Sequence, residues 1–152
     1  MIKKTSAARV AALFLIYSLV LSAQIADPSG VMDRRMRSIA GPQALNCGRV
    51  EIGADDKTAL TCAWKAVRKK QPFFVRYDLQ GIDSFVSVGF AGNDDQDVYM
   101  IQFDSYGSDV ADPPDERHNV ATKCPRPVQI LKMTSQQGAR WYSCIPLKTE
   151  KR

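Results

Sequence analysis

Histidine is almost missing from this chain: there is one, His118, in 152 residues. A nucleophile–base pair or an H-E-x-x-H zinc helix needs a histidine in company, and this one has no positioned nucleophile beside it. A G-x-S-x-G elbow and a P-loop are also missing. "GIDS" (81–84) sets a serine after an aspartate, but in a turn. The glycines at 89 and 92 in "GFAGN" are too few for a dinucleotide fingerprint. No C-x-x-C pair occurs, so the common zinc spacings are excluded. No repeat or low-complexity tract stands out. The sequence therefore names no catalytic residue, no metal ligand and no cofactor.

Long apolar runs are scarce too. Val10–Ala23 is one of 14 residues, shorter than the ~20 that a membrane span requires. Lys3, Lys4 and Arg9 precede or open it, and Ser22, Ala23 and Ala26 close it. That is the pattern of a secretory signal peptide, with cleavage expected after Ala23 or, alternatively, after Ala26. No cysteine ends the run, so no lipid-attached terminus is expected. The leader implies a secreted or periplasmic protein with no stable membrane insertion after cleavage.

The leader also accounts for much of the charge. The whole chain has 21 basic and 16 acidic residues, a net +5. Residues 1–23 hold three basic side chains and no acid, which leaves 18 against 16, or +2. That balance makes no case for a nucleic-acid partner.

What the chain does have is four cysteines after the leader: Cys47, Cys62, Cys124 and Cys144. An even count in an exported chain implies disulfides, with three pairings open. The expected pairs are Cys47–Cys62 and Cys124–Cys144, each closing a short loop around one supersecondary unit. Closing a 15-residue loop is worth ~3 kcal/mol in the chain-entropy picture.

Residues 24–45 read as a flexible N-terminal arm, punctuated by Pro28, Gly30, Gly41 and Pro42. Within it "DRRMRSI" (33–39) can form a short helix, and Arg34, Arg35 and Arg37 form a basic cluster. A single domain over 46–147 and a polar tail over 148–152 follow. Asp55 or Asp56 can cap a helix that carries Leu60, Ala63, Trp64 and Val67 on one face. Thr61, Lys65 and Arg68 lie opposite, and Pro72 ends it. Trp64 is expected in the core.

The period then falls to two. "FFVRYDLQ" aligns Phe73, Val75, Tyr77 and Leu79. "FVSVGFA" aligns Val86, Val88 and Phe90, and "VYMIQFD" aligns Tyr99, Ile101 and Phe103. If these sets share the face under the helix, the first connection has an even length, such as Gly81–Ser84. Phe90 then opposes Tyr99, and Gly92–Asp97 is the second loop. "GNDDQD" is thus a hairpin tip first; its three acids lack the length and distal glutamate of a calcium loop. Residues 105–123 show no period and hold His118 with Asp109, Asp112, Asp115 and Glu116. Strands in "VQILKM" and "RWYSCIPL" flank "TSQQGA".

The expected fold is α+β: one main helix on an antiparallel meander of four to five strands, with two disulfides. Over about residues 46–147 that order resembles the cystatin-like architecture in outline. The expected function is a non-enzymatic binding or inhibitory module with an extracytoplasmic protein partner. The alternative is a small secreted hydrolase using His118 and the acids of 105–123. In the expected register Phe74, Arg76, Val98 and Met100 point away from the helix near the loop, as a docking patch. The other reading of that patch is a second small core covered by the 24–45 arm or the 105–123 loop.

Overall fold

The computed structural model describes residues 30–105, 119–135 and 138–145. In chain order these form α1 (Gly30–Ala40), β1 (Leu45–Val50), α2 (Lys57–Lys69), β2 (Phe73–Leu79) and β3 (Val86–Gly92). They continue with β4 (Val98–Asp104), β5 (Asn119–Lys123), β6 (Leu131–Thr134) and β7 (Arg140–Ser143). Five strands make one sheet in the order β1-β2-β3-β4-β5, and β6 with β7 make a separate ribbon.

The class is α+β with two disulfides, but the large sheet is mixed. β1 runs parallel to β2, with α2 as the crossover that such a pair requires. The antiparallel meander is confined to β2–β5. "LNCGRV" had no alternation to announce it, since only Cys47 and Val50 are buried. The edge strand also carries an irregularity between Asn46 and Arg49. There Gly48 takes φ +97° and its N–H donates to Asn46 Oδ1 at 2.9 Å.

α2 forms where the helical period placed it, burying Ala59, Leu60, Ala63 and Ala66. It ends at Lys70, in the left-handed region at φ 56°. The Gln71 N–H returns to the Ala66 carbonyl at 3.0 Å and the Lys70 N–H to that of Val67 at 3.1 Å. This is a Schellman closure with lysine where glycine is usual. Trp64 departs from expectation: it is 46% exposed, at the border of the buried face.

β2 and β3 pair with the expected parity, Val75 opposite Phe90 and Tyr77 opposite Val88, over a connection at 80–85. β3 and β4 do not. Met100, rather than Tyr99, opposes Phe90, and the loop is 93–97. Within it the Gln96 N–H bonds the Asn93 carbonyl at 3.1 Å and the Asn93 N–H bonds that of Asp97 at 3.0 Å. Asn93 Oδ1 takes the Asp97 N–H at 2.9 Å. This tight turn with Gln96 at φ 63° sets the register. The slip sends Tyr99, Ile101 and Phe103 to the other face, where they are not left in water.

That other face is closed by α1. Within the segment expected as an arm, the short helix expected over 33–39 forms and runs longer, over Gly30–Ala40, and its Met32, Met36 and Ala40 pack with Ala91, Ile101 and Phe103. A second core on the α2 side holds Phe73, Val75, Tyr77, Val88, Phe90, Val98 and Met100. The parity expectation assumed one buried face. With two buried faces, either parity buries apolar side chains, and turn chemistry decides. Small residues on β3 make room for α1. A Cβ at Gly89 would sit 2.6 Å from Met32 Cε and 3.1 Å from the Val75 carbonyl oxygen, and would collide with Met36 Sδ.

β5 emerges from the end of the aperiodic 105–123 stretch and pairs with β4, Ala121 opposite Ile101. The β6–β7 ribbon joins the α2 side through Tyr142, whose ring stacks on Tyr77 at 3.8 Å between centroids. Both expected disulfides are present. Cys47–Cys62 ties β1 to α2, and Cys124–Cys144 ties the end of β5 to the end of the ribbon.

Two substitutions test this account. Gly89→Ala pushes α1 off the sheet and is expected to cost about 1–3 kcal/mol in urea denaturation. Gln96→Gly removes a left-handed side-chain penalty and is expected to stabilise by about 0.5–1 kcal/mol. A destabilised Gln96→Gly protein would mean that the turn does not set the β3–β4 register.

Candidate functional site

The structure does not bring the four expected patch residues together. Phe74 and Arg76 lie on the α1 face, and Val98 and Met100 on the α2 face. Arg76, Val98 and Met100 are at most 5% exposed, and Phe74 is half-buried under Arg37, whose Cζ stands 5.5 Å from its ring centroid. The one-residue difference in β4 register separates them, and α1 covers the first pair. His118 and the acids of its loop lie outside the described residues.

Arg76 enters a buried ionic group instead. Its Nε donates to Asp78 Oδ1 at 2.8 Å and its Nη1 to Asp33 Oδ1 at 3.1 Å. Arg49 Nε reaches Asp78 Oδ2 at 2.6 Å, and Ser87 Oγ donates to Asp78 Oδ1 at 2.8 Å. Phe85 lies 5.6 Å from the Arg76 Cζ. Buried charges persist when they are paired, and Arg76 and Asp78 hold one another here. Through Asp33 the group also fixes how α1 sits on the sheet.

A second network joins α2, the sheet and the ribbon. Asp56 stands at the N-cap of α2, but its side chain caps nothing. It is buried, and it accepts hydrogen bonds from the Tyr142 hydroxyl and from Lys132 Nζ, the latter at 2.9 Å. Burial pushes the Asp56 carboxyl up, but bonds from Lys132 and Tyr142 and the charges of Lys132 and Arg140 outweigh it. The result is a carboxyl below its ordinary value. Burial raises both phenols, Tyr77 and Tyr142, well above the usual tyrosine range, and the Asp56 charge adds to this. These shifts keep the Asp56 carboxylate charged and both phenols neutral at neutral pH, and the group locks the start of α2 to the ribbon.

Above this lock lies a cleft of about 230 Å³ between the β1–α2 loop, the end of β2 and the ribbon. Glu51, Gln80 and Arg140 line it, with the buried Tyr77 and Tyr142 behind. It sits at the carboxyl ends of the two parallel strands, the end where open α/β sheets hold ligands. Its charged groups are partly committed: Arg140 Nη1 donates to the Ala54 carbonyl at 3.0 Å.

The acidic hairpin tip is likewise engaged. Lys123 Nζ and Arg126 Nη2 each bind one Asp97 oxygen at 2.6 Å. The Lys123 bond leads the causes that hold Asp97 below its ordinary range, and the same bond raises Lys123. Asp97 thus clamps β5 and the following segment onto the β3–β4 turn.

The cations of α2 behave differently. Lys57, Lys65, Arg68, Lys69 and Lys70 are exposed. None of them makes a side-chain ion pair with a described residue. Lys57, Thr61, Trp64 and Arg68, at i, i+4, i+7 and i+11, run up one side of the helix, with Lys65 beside them. Trp64 Nε1–H donates to the Ile130 carbonyl at 3.3 Å, which lays the indole toward a shallow groove of about 370 Å³. Val67, Arg68, Val128 and Leu131 complete that groove. The sequence held this signal, because Trp64 falls in register with Lys57 and Arg68. Its size and the apolar stripe alone pointed to the core. Tyr142 and Lys132 carried no such signal; only the ribbon's docking brings them to Asp56.

No family model matches the chain, and no curated protein or solved structure matches it.

Tyr142→Phe tests the lock. A hydrogen bond to a charged partner is worth about 1.5–3 kcal/mol, and that loss is expected at pH 7. Asp56 has a depressed pKa, so its stabilisation is present above the unfolded value near ~3.9 and fades as pH falls through the folded value. Removing the phenol raises the folded pKa, so the acid limb of Tyr142→Phe should begin at higher pH. The gap from the parent protein should narrow toward pH ~2. Coincident acid limbs in urea titrations would dismiss the role of Tyr142.

Proposed function

We propose that this is an exported, disulfide-stabilised, non-enzymatic binding module that engages its partner through the outward face of α2. The carrying observation is the contrast in charge use. Asp33, Arg76, Asp78, Asp56, Lys132 and Asp97 are spent on internal pairs. Lys57, Lys65, Arg68 and Lys69 of α2 and Lys70 just past it make no ion pair with a described residue, and Trp64, tethered through its N–H to the Ile130 carbonyl, leaves its ring exposed. Exposed groups on a helix held at its start by the Asp56 lock and in its middle by the Cys62 disulfide form a preorganised surface.

Export rests on the leader pattern of residues 1–23, which lie outside the described residues, and on the two disulfides, which oxidising compartments favour. Among the described residues no helix is long and apolar enough to cross a membrane. The compartment is then the periplasm or the medium.

Placing a photo-cross-linking amino acid at position 65 tests the face in its native setting. Ile82, fully exposed on the β2–β3 loop, is the control position. Reproducible adducts from position 65 and few from position 82 are expected. Equal labelling at the two would remove α2 as the binding face.

A further inference from the structure

We infer that the α2 face docks on an anionic lipid surface, in the plane of the headgroups. This rests on the reading of α2 as the binding face and names its partner.

Helix electrostatics alone does not account for the stripe. Arg68, Lys69 and Lys70 lie at the C-terminal end, where cations complement the helix dipole. Lys57 occupies the first turn, which holds no acid, and there a cation opposes the dipole. Lys65 lies between the ends and gains little from either. All five are exposed, and none is paired with a described acid. Lys57, Lys65, Arg68 and Lys69 share the side of the helix opposite its buried residues, with Lys70 just past its end, and such a run of unpaired like charges is complementary to an extended negative surface.

The aromatic and its groove narrow the choice among anionic partners. Trp64 is 46% exposed with its N–H already satisfied by the Ile130 carbonyl. What it offers outward is therefore apolar ring. Val67, Val128 and Leu131 are half-buried beside it and extend that apolar area. Cations flanking tryptophan and aliphatic side chains are the composition of a helix that rests at the bilayer interface. A polymer read through charge alone would use the lysines and leave the groove unfilled. The docking is peripheral: the opposite face of α2 is committed to the core through Ala59, Leu60, Ala63 and Ala66. The helix cannot turn over and insert without unfolding the domain.

Co-sedimentation of the protein as its cell processes it tests this. The probes are mixed phosphatidylglycerol–phosphatidylcholine vesicles and pure phosphatidylcholine vesicles, at low and ~150 mM salt. Binding to the anionic vesicles alone, weakened by salt, is expected. Each surface cation near such a membrane contributes about fivefold to partition, so Lys65→Ala with Arg68→Ala and Lys69→Ala should lower it on the order of a hundredfold. Trp64→Ser should weaken partition several-fold with the salt slope unchanged. All four positions are exposed or at the border, and matching melting curves confirm that folding is intact.

Equal binding to neutral vesicles, or undiminished binding by the triple variant, overturns the inference. So does binding to a sulfated polysaccharide or duplex DNA through the same cations while the vesicles are ignored. Protein adducts from position 65 combined with no vesicle binding would discard the lipid surface and keep the binding module. Loss of both signals would discard both.

Discussion

A central strand that meets a helix on each side has to satisfy two cores at once, and β3 does this by alternating large and small. Val88 and Phe90 face the α2 core, while Ser87, Gly89 and Ala91 face α1. The small set lets Met32 and Met36 come down onto the sheet. Because both faces are dry, polar groups on the α1 side must be paired in place. Asp78 accordingly collects Arg76, Arg49 and Ser87. The ionic group is a consequence of closing the second face rather than an independent source of stability, since fully buried pairs gain little over apolar packing.

On the other side the closure is shared. α2 covers β1 and β2, and the ribbon brings Tyr142 against Tyr77. Asp56 is the point where the two covers meet the sheet. An N-cap aspartate usually bonds its own helix. Here the backbone bond of the first turn, Leu60 N–H to the Asp56 carbonyl at 2.8 Å, is kept, and the carboxylate is released to the ribbon. That exchange couples the position of the ribbon to the start of the helix whose outer face we assign to binding.

Legibility followed locality. α2, its stop before Pro72 and the β2–β3 parity depend on neighbours in sequence or on short loops, and the residues declared them, while the disulfide pairing, one of three open, came out as the short-loop expectation had it. The β3–β4 register depended on whether the second face was covered, and α1 lay in a segment whose composition reads as an arm. Met32 and Met36 are spaced for a helix, but the arginines between and beyond them, Arg34, Arg35 and Arg37, mask an apolar stripe narrow enough to need a glycine-bearing strand opposite. β1 and β5 are edge strands with one or two buried side chains each, too few for a period to show. The candidate site was half legible. The cations of α2 were placed on the solvent side, while Trp64 was assigned to the core because its tether, the Ile130 carbonyl, lies 66 residues away.

The two disulfides fall at the two margins of the sheet. Cys47 sits within β1, at one edge, and Cys124 directly follows β5, at the other. Edge strands are where a sheet can recruit a foreign strand, and natural proteins guard them with bulges and short lengths. β1 carries the irregularity at Gly48, and β5 is five residues long. Cys47 anchors β1 from within, and Cys124 anchors β5 at the residue after its end. Each margin of the sheet is thus tied to an element on the α2 side, β1 to the helix itself and the end of β5 to the ribbon, so neither edge can peel away from the core without its covering element.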